Sequence, residues 1–122
     1  MYEILIVGGG PAGLTAAIYA ARAGKHVAVL ERGSTGGQII SAPLVENYPG
    51  IPSVSGTELA RQMTEQACTF GAEIVYTEAV GLEKTPAGFR VLCTDGVREA
   101  KAVILATGAA HRSLGLAAED AL

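Results

Sequence analysis

At 122 residues the chain has the length of one domain or part of one, taking about 150 residues per domain, which excludes a complete two-domain enzyme. Hydrophobic residues make up 49% and charged residues 17%, with a mean hydropathy of +0.34, and this excludes an intrinsically disordered chain. Nine Lys and Arg against twelve Asp and Glu give a net charge of -3 and a pI near 5.3, so no basic surplus exists to neutralise nucleic-acid phosphates, and nucleic acid is not an expected partner.

In chain order, Glu3–Val7 is a short apolar run without alternation, which predicts a strand buried on both faces, as in a parallel sheet. Leu14, Ala17, Ile18 and Ala21 then recur at helical spacing, and Gly24 supplies a stop. Val27–Leu30 reads as a second buried strand, so these segments form a right-handed βαβ unit. The uncharged stretch Ile4–Ala21 is eighteen residues long and approaches bilayer-spanning length. Three glycines and Pro11 interrupt it, Glu3 rather than a basic cluster precedes it, and no signal-peptide pattern follows, so a membrane is not expected and a cytoplasmic protein is.

Between Arg32 and Ser55 lie Gly36, Gly37, Pro43, Pro49, Gly50 and Pro52 with no sustained periodicity, and a loop of that length inside one domain usually binds something. Ser55-Gly-Thr-Glu58 reads as a capping box, followed by a helical stripe of Leu59, Met63, Ala67 and Phe70 that ends at Gly71. Glu73–Tyr76 predicts a third strand. Val80–Lys84, Phe89–Thr94 and Val97–Ala100, separated by Pro86-Ala-Gly88 and Asp95-Gly96, predict a small antiparallel meander, and Ala102–Ala106 predicts a last, separate strand. Cys68 and Cys93 form neither a CxxC pair nor a ligand cluster with His26 and His111; both thiols are expected to be reduced, buried core groups, and no metal is expected.

The chemistry is carried by Gly8-Gly-Gly10-Pro-Ala-Gly13, a GxGxxG sequence lying between a predicted strand and a predicted helix. In that context Gly8 permits the tight turn, Gly10 the approach of a pyrophosphate and Gly13 close packing of helix on strand, with main-chain N–H groups and the helix dipole facing the phosphate charge. Glu31 stands at the end of the second strand, eighteen positions past Gly13, where a carboxylate accepts hydrogen bonds from ribose hydroxyls. A carboxylate there disfavours a 2'-phosphate, so the dinucleotide is FAD or NAD rather than NADP. No residue reads as an acid, base or nucleophile.

Four segments in this order, VGGGPAGLTAAIYAARAG, ERGSTGGQI, VENYPGIPSVSGTELARQM and ILATGAAHRSLGL, resemble the FAD-dependent pyridine nucleotide-disulfide oxidoreductases and, within them, the low-molecular-weight thioredoxin reductases. The resemblance spans nearly the whole chain. It implies an α/β, Rossmann-like FAD-binding domain with a parallel sheet and a small antiparallel β-meander. It implies further that Gly36, Gly37 and Gln38 line the flavin end of FAD, that Asn47 approaches the isoalloxazine, that Thr107 and Gly108 pass beneath the cofactor, and that main-chain groups at Ala79 meet the adenine. Pro11, Ala12, Arg32 and Ala106 complete the expected cofactor-binding set. Tyr48 reads as a packing residue rather than a flavin stacker, and His111 and Arg112 as solvated loop residues.

In such proteins NADPH passes a hydride to the flavin, and the reduced flavin reduces a dithiol pair that serves thioredoxin or a similar disulfide. Their redox-active CxxC, their NADPH domain and a second FAD segment lie beyond the matching part, and Leu116-Ala-Ala-Glu119 stands where a Pro-Gly-Glu is usual. The chain therefore reads as an N-terminal, incomplete FAD domain, inactive alone and prone to self-association through uncovered apolar surface. VENYPGIPSVSG favours the thioredoxin reductase branch over two relatives, the flavoprotein subunit of alkyl hydroperoxide reductase and the thioredoxin-reductase-like ferredoxin reductases. A non-catalytic FAD- or NAD-binding module is the alternative of a different class.

Overall fold

The apolar run at the N-terminus forms β1 (Tyr2–Val7), with Leu5 and Ile6 pointing to opposite faces and both fully buried. A computed structural model describes residues 1–108. Helix α1 (Pro11–Arg22) starts on a proline, whose missing N–H removes a group that has no intrahelical partner in the first turn anyway, and is terminated by Ala23 and Gly24, the latter with φ +79°. β2 (Val27–Glu31), α2 (Gly56–Thr69), β3 (Glu73–Tyr76), β4 (Ala79–Thr85), β5 (Gly88–Cys93) and β6 (Gly96–Leu105) follow. The uncharged stretch is thus divided between a strand and a helix of 12 residues, and among the described residues no helix is long and apolar enough to cross a membrane.

The strands form one sheet in the order β3-β2-β1-β6-β5-β4. β1 pairs parallel with β2 and β6, and β2 pairs parallel with β3, whereas β5 runs antiparallel to β4 and β6. Side-chain alternation divides the core between the two faces. Ile6, Val27 and Val29 meet Ala17 and Ala21 of α1 and Ala67 of α2 on one face. On the other, Leu5, Ala28 and Leu30 meet Val91 and Cys93 of β5 and Ala100 of β6, so the meander folds over the sheet as its second layer. The alanines of α1 keep the helix close to β1 and β2, which fixes where its N-terminus stands.

Three sequence expectations are corrected. Val97–Ala100 and Ala102–Ala106 are not two strands but the single β6, which pairs antiparallel with β5 through Ala100 and parallel with β1 from Ala100 to Leu105. Lys101 is no break, because its side chain lies exposed while the strand changes partner. In the capping box only half forms: Ser55 Oγ accepts from the N–H of Glu58 at 3.1 Å, but the Glu58 carboxylate turns to Arg61, whose Nε donates to it at 2.8 Å. Cys68 is exposed, since Ala67 occupies the inward position and the next residue lies about 100° further round the helix; Cys93 is buried as expected.

The loop from Arg32 to Ser55 carries a 3-10 turn (Gly37–Ser41) and a small hairpin closed by the bridges Val45 to Val54 and Tyr48 to Ile51. Its apolar residues Ile39, Val45, Ile51 and Val54 pack on Leu14, Leu59 and Met63, a third core that ties the loop to both helices. Tyr48 sits 41% exposed at the hairpin turn.

Candidate functional site

The glycine turn between β1 and α1 begins at Gly8, where φ is +112°, and the position of a Cβ atom would lie 2.1 Å from the carbonyl oxygen of Ala106. Only glycine fits both demands. The turn is tied on each side: the N–H of Gly8 donates to Leu30 at 2.9 Å, the N–H of Ala106 to Val7 at 2.8 Å, and the N–H of Gly36 to Gly9 at 2.7 Å. Gly10 is the N-cap residue of α1 and brings no side chain, and the first turn of the helix holds no acidic residue. The N-terminal N–H groups of α1 are thus left without a carboxylate of their own, at the positive end of the helix dipole.

Glu31 closes β2 beside this turn. Its Oε1 accepts from the N–H of Gly9 at 2.9 Å and its Oε2 from the N–H of Gly33 at 2.6 Å. The carboxylate is therefore oriented by the main chain on both sides before any ligand arrives. Its own carbonyl accepts from the N–H of Thr77 at 3.0 Å, which draws the link between β3 and β4 up to the end of β2.

Two cavities meet at this point. The smaller, about 180 Å³, lies between Glu31 and Arg32 on one side and Thr77, Glu78 and Ala79 on the other. The larger, about 390 Å³, runs from the turn at Gly8, Gly10, Pro11 and Ala12 past Gly37 and Gln38 to Ala106, Thr107 and Gly108. Gly8, Glu31 and Thr107 border both, so the two form one trough at the carboxyl ends of β1, β2 and β6. That is the place where an open α/β sheet binds ligands, in the crevice outside the carboxyl ends of its parallel strands. Arg32 and Glu78, both exposed, stand 4.0 Å apart at the smaller cavity.

Twelve of the fifteen residues expected from the sequence border this trough: Gly8, Gly10, Pro11, Ala12, Glu31, Arg32, Gly37, Gln38, Ala79, Ala106, Thr107 and Gly108. Gly13 and Gly36 are buried supports, Gly13 against Gly8 and Gly36 against Ala60 of α2. Asn47 borders neither cavity; it is exposed in the hairpin that follows the 3-10 turn. His111, Arg112 and the segment Leu116–Glu119 lie outside the described residues.

Six further residues border the trough that were not expected to: Val7, Gly9, Leu30, Ile39, Thr77 and Glu78. Gly9, as the central residue of three glycines, was legible in principle. Thr77 had no pattern to announce it, because it lies in a two-residue link between strands. Its hydroxyl donates to Asp95 Oδ1 at 2.6 Å, and Asp95 in turn accepts from Arg98 Nη1 at 2.7 Å and Nη2 at 3.1 Å. The Arg98 guanidinium, with the Thr77 hydroxyl second, holds the Asp95 carboxyl well below the usual carboxylate range. Among the described residues no group of three or more His, Cys, Asp or Glu is arranged to hold a metal ion.

The sequence matches the family model described as pyridine nucleotide-disulphide oxidoreductase over residues 2–121. It is 41% identical over 122 residues to a thioredoxin reductase of Listeria monocytogenes, covering 100% of this chain and 38% of that protein. It is 44% identical over 120 residues to a thioredoxin reductase of Treponema pallidum, covering 98% of this chain and 39% of that one. Among solved structures, Lactococcus lactis thioredoxin reductase in its FR conformation superposes with a TM-score of 0.93 at 38% identity, over 98% of this chain and 40% of that chain. The chain thus spans about two fifths of the length of the relatives it matches.

Proposed function

The chain belongs to the pyridine nucleotide-disulphide oxidoreductase family, and from that premise we propose that it is the FAD-binding part of a thioredoxin reductase-like flavoprotein. The observation that carries the reading is the trough itself. It joins a carboxylate held by two main-chain N–H groups, an uncapped helix N-terminus behind a glycine turn, and a larger chamber bordered by Ala106, Thr107 and Gly108.

These residues fit FAD part by part. Glu31 would accept from the ribose hydroxyls, with Arg32 and the main chain at Ala79 beside the adenine. The turn at Gly8 and Gly10 and the first N–H groups of α1 would face the pyrophosphate, where aligned dipoles offset its charge. Gly37, Gln38, Thr107 and Gly108 would border the isoalloxazine, and Asn47 belongs to this set only through the family resemblance. When bound, the flavin supplies the electron transfer between a nicotinamide and a disulfide. In the whole protein the donor is NADPH and the acceptor a thioredoxin-like disulfide. The chain's own part is to bind, orient and shield. Cys68, on the outer side of α2, and Cys93, inside β5, border neither cavity and take no part in the dithiol step.

The visible absorption spectrum of the purified protein, recorded after desalting with and without added FAD, tests this reading. Flavin bands that survive desalting are the expected result. Binding of NAD with no retention of FAD would replace the reading with a plain nucleotide-binding module.

A further inference from the structure

Thr77 is the one buried polar side chain among the described residues, 7% exposed, and it stands in the wall of the smaller cavity. Thr77 and Glu78 themselves lie between β3 and β4, outside the paired strands, and the β4–β5 register shifts just beyond them, between Ala79 and Gly81. Other contacts hold the wall. Thr77 is drawn to β2 by its N–H on the Glu31 carbonyl, and Glu78 to the β5–β6 turn by the N–H of Thr94 on the Glu78 carbonyl at 2.9 Å. The Thr77 hydroxyl adds a short bond to Asp95, itself gripped in bidentate fashion by Arg98 across the β5–β6 turn. The same hydroxyl lies 3.5 Å from Thr94 Oγ1, so both of its side-chain contacts are with the β5–β6 turn.

We propose that Thr77 is a positioning residue for the adenine–ribose half of the cofactor, set in place by the Asp95–Arg98 pair of the β5–β6 turn. The inference rests on the FAD reading above. The turn thereby fixes the separation between the Thr77–Ala79 wall and Glu31, and it does so without touching the ligand. The effect is confined to one end of the trough, since the larger chamber has no wall from this link.

The test uses apoprotein prepared from the intact protein and three probes: FAD, AMP, which occupies only the adenine end, and FMN, which lacks it. Thr77→Val removes the donor at nearly constant shape, Thr77→Ser keeps it, and Asp95→Ala removes the acceptor from an exposed turn without entering the core. In Thr77→Val and Asp95→Ala the Kd for FAD and for AMP should rise roughly tenfold, as loss of one strong positioning bond would give. FMN binding should be unchanged, and Thr77→Ser should bind FAD as the parent does. Unchanged FAD affinity in both Thr77→Val and Asp95→Ala overturns the proposal, as does equal weakening of FAD and FMN, which marks a general loss of structure. Failure of the unsubstituted protein to bind FAD removes the underlying reading instead, and is seen before any variant is made.

Discussion

Gly10 and Gly13 stand three positions apart in one turn, yet an added methyl group meets different neighbours at the two. At Gly13 the Cβ position lies 1.8 Å from the carbonyl oxygen of Gly8, a backbone atom that cannot move unless α1 leaves β1. Gly13→Ala should therefore cost at least the upper end of the 1–3 kcal/mol typical of overpacking, read as a lower midpoint in urea unfolding. At Gly10 nothing of the chain comes nearer than Gly37 Cα at 3.8 Å, and φ is an ordinary -76°. Gly10→Ala should leave the unfolding midpoint unchanged and weaken FAD binding about tenfold or more, because the methyl group enters the space assigned to the pyrophosphate. A Gly10→Ala protein with parental FAD affinity would remove the phosphate from this turn. Gly8 and Gly13 were legible with their separate roles because each role is a steric demand that sequence spacing records. Glu31 was legible only by type: the position predicts a carboxylate, whereas its two main-chain donors depend on how the loop after β2 folds back. Asn47 shows the opposite limit, since a residue placed by resemblance alone carries no geometric constraint that brings it to the trough.

Helix α2 sets the loop that forms one wall of the site, and its two ends are held by different physics. At the N-terminus Ser55 caps the N–H of Glu58, so Ser55→Ala should lower stability by about 1 kcal/mol, measured by denaturant unfolding. Along the exposed face Arg61 bridges Glu58 and Glu65, and hydrogen bonding from Arg61 holds the Glu58 carboxyl near 2 instead of its ordinary 4.5. A depressed carboxylate contributes stability that is complete above about pH 4.5 and is lost as the pH falls toward 2. Both side chains are around half exposed, so solvent and salt screen the pair and the thermal midpoint should move only slightly across that window. Arg61→Met should abolish that part of the acid sensitivity, and added salt should mimic the substitution. The helix itself was plain in the sequence, because Leu59, Met63 and Ala67 repeat on one face. The half-formed box was not, because Glu58 has two competing partners and the choice of Arg61 is made by side-chain geometry. Strand β6 failed for a related reason: a strand that exchanges one partner for another midway has no single pattern of alternation to read.

The sheet is covered on one face by α1 and α2 and on the other by the meander, and the second covering layer could not be read from β1 and β2. Strands buried on both faces lack alternation, so their sequence says that both faces are covered and nothing of what covers them. Besides the outer edges of β3 and β4, one stretch inside the sheet lacks a partner on one side among the described residues. Residues 102–105 of β6 pair with β1, no described strand pairs with their other edge, and Ile104 and Leu105 are 38% and 66% exposed. An unpaired strand edge flanked by exposed apolar side chains is a template for another strand. Residues 1–122 expressed by themselves should therefore self-associate, with a sedimentation coefficient that rises across about a hundredfold range of concentration, as mass action requires. Ile104→Lys places a charge on that strand and should shift the equilibrium toward monomer, whereas Tyr19→Lys, exposed on α1 and away from any strand edge, should leave it unchanged. Because β6 runs on into Ala106–Gly108 at the larger chamber, strand addition at 102–105 stiffens the wall of the trough, so added FAD should favour the associated form. A chain that stays monomeric over the whole range, or that associates equally with lysine at 104, would show that the open edge is not where copies meet.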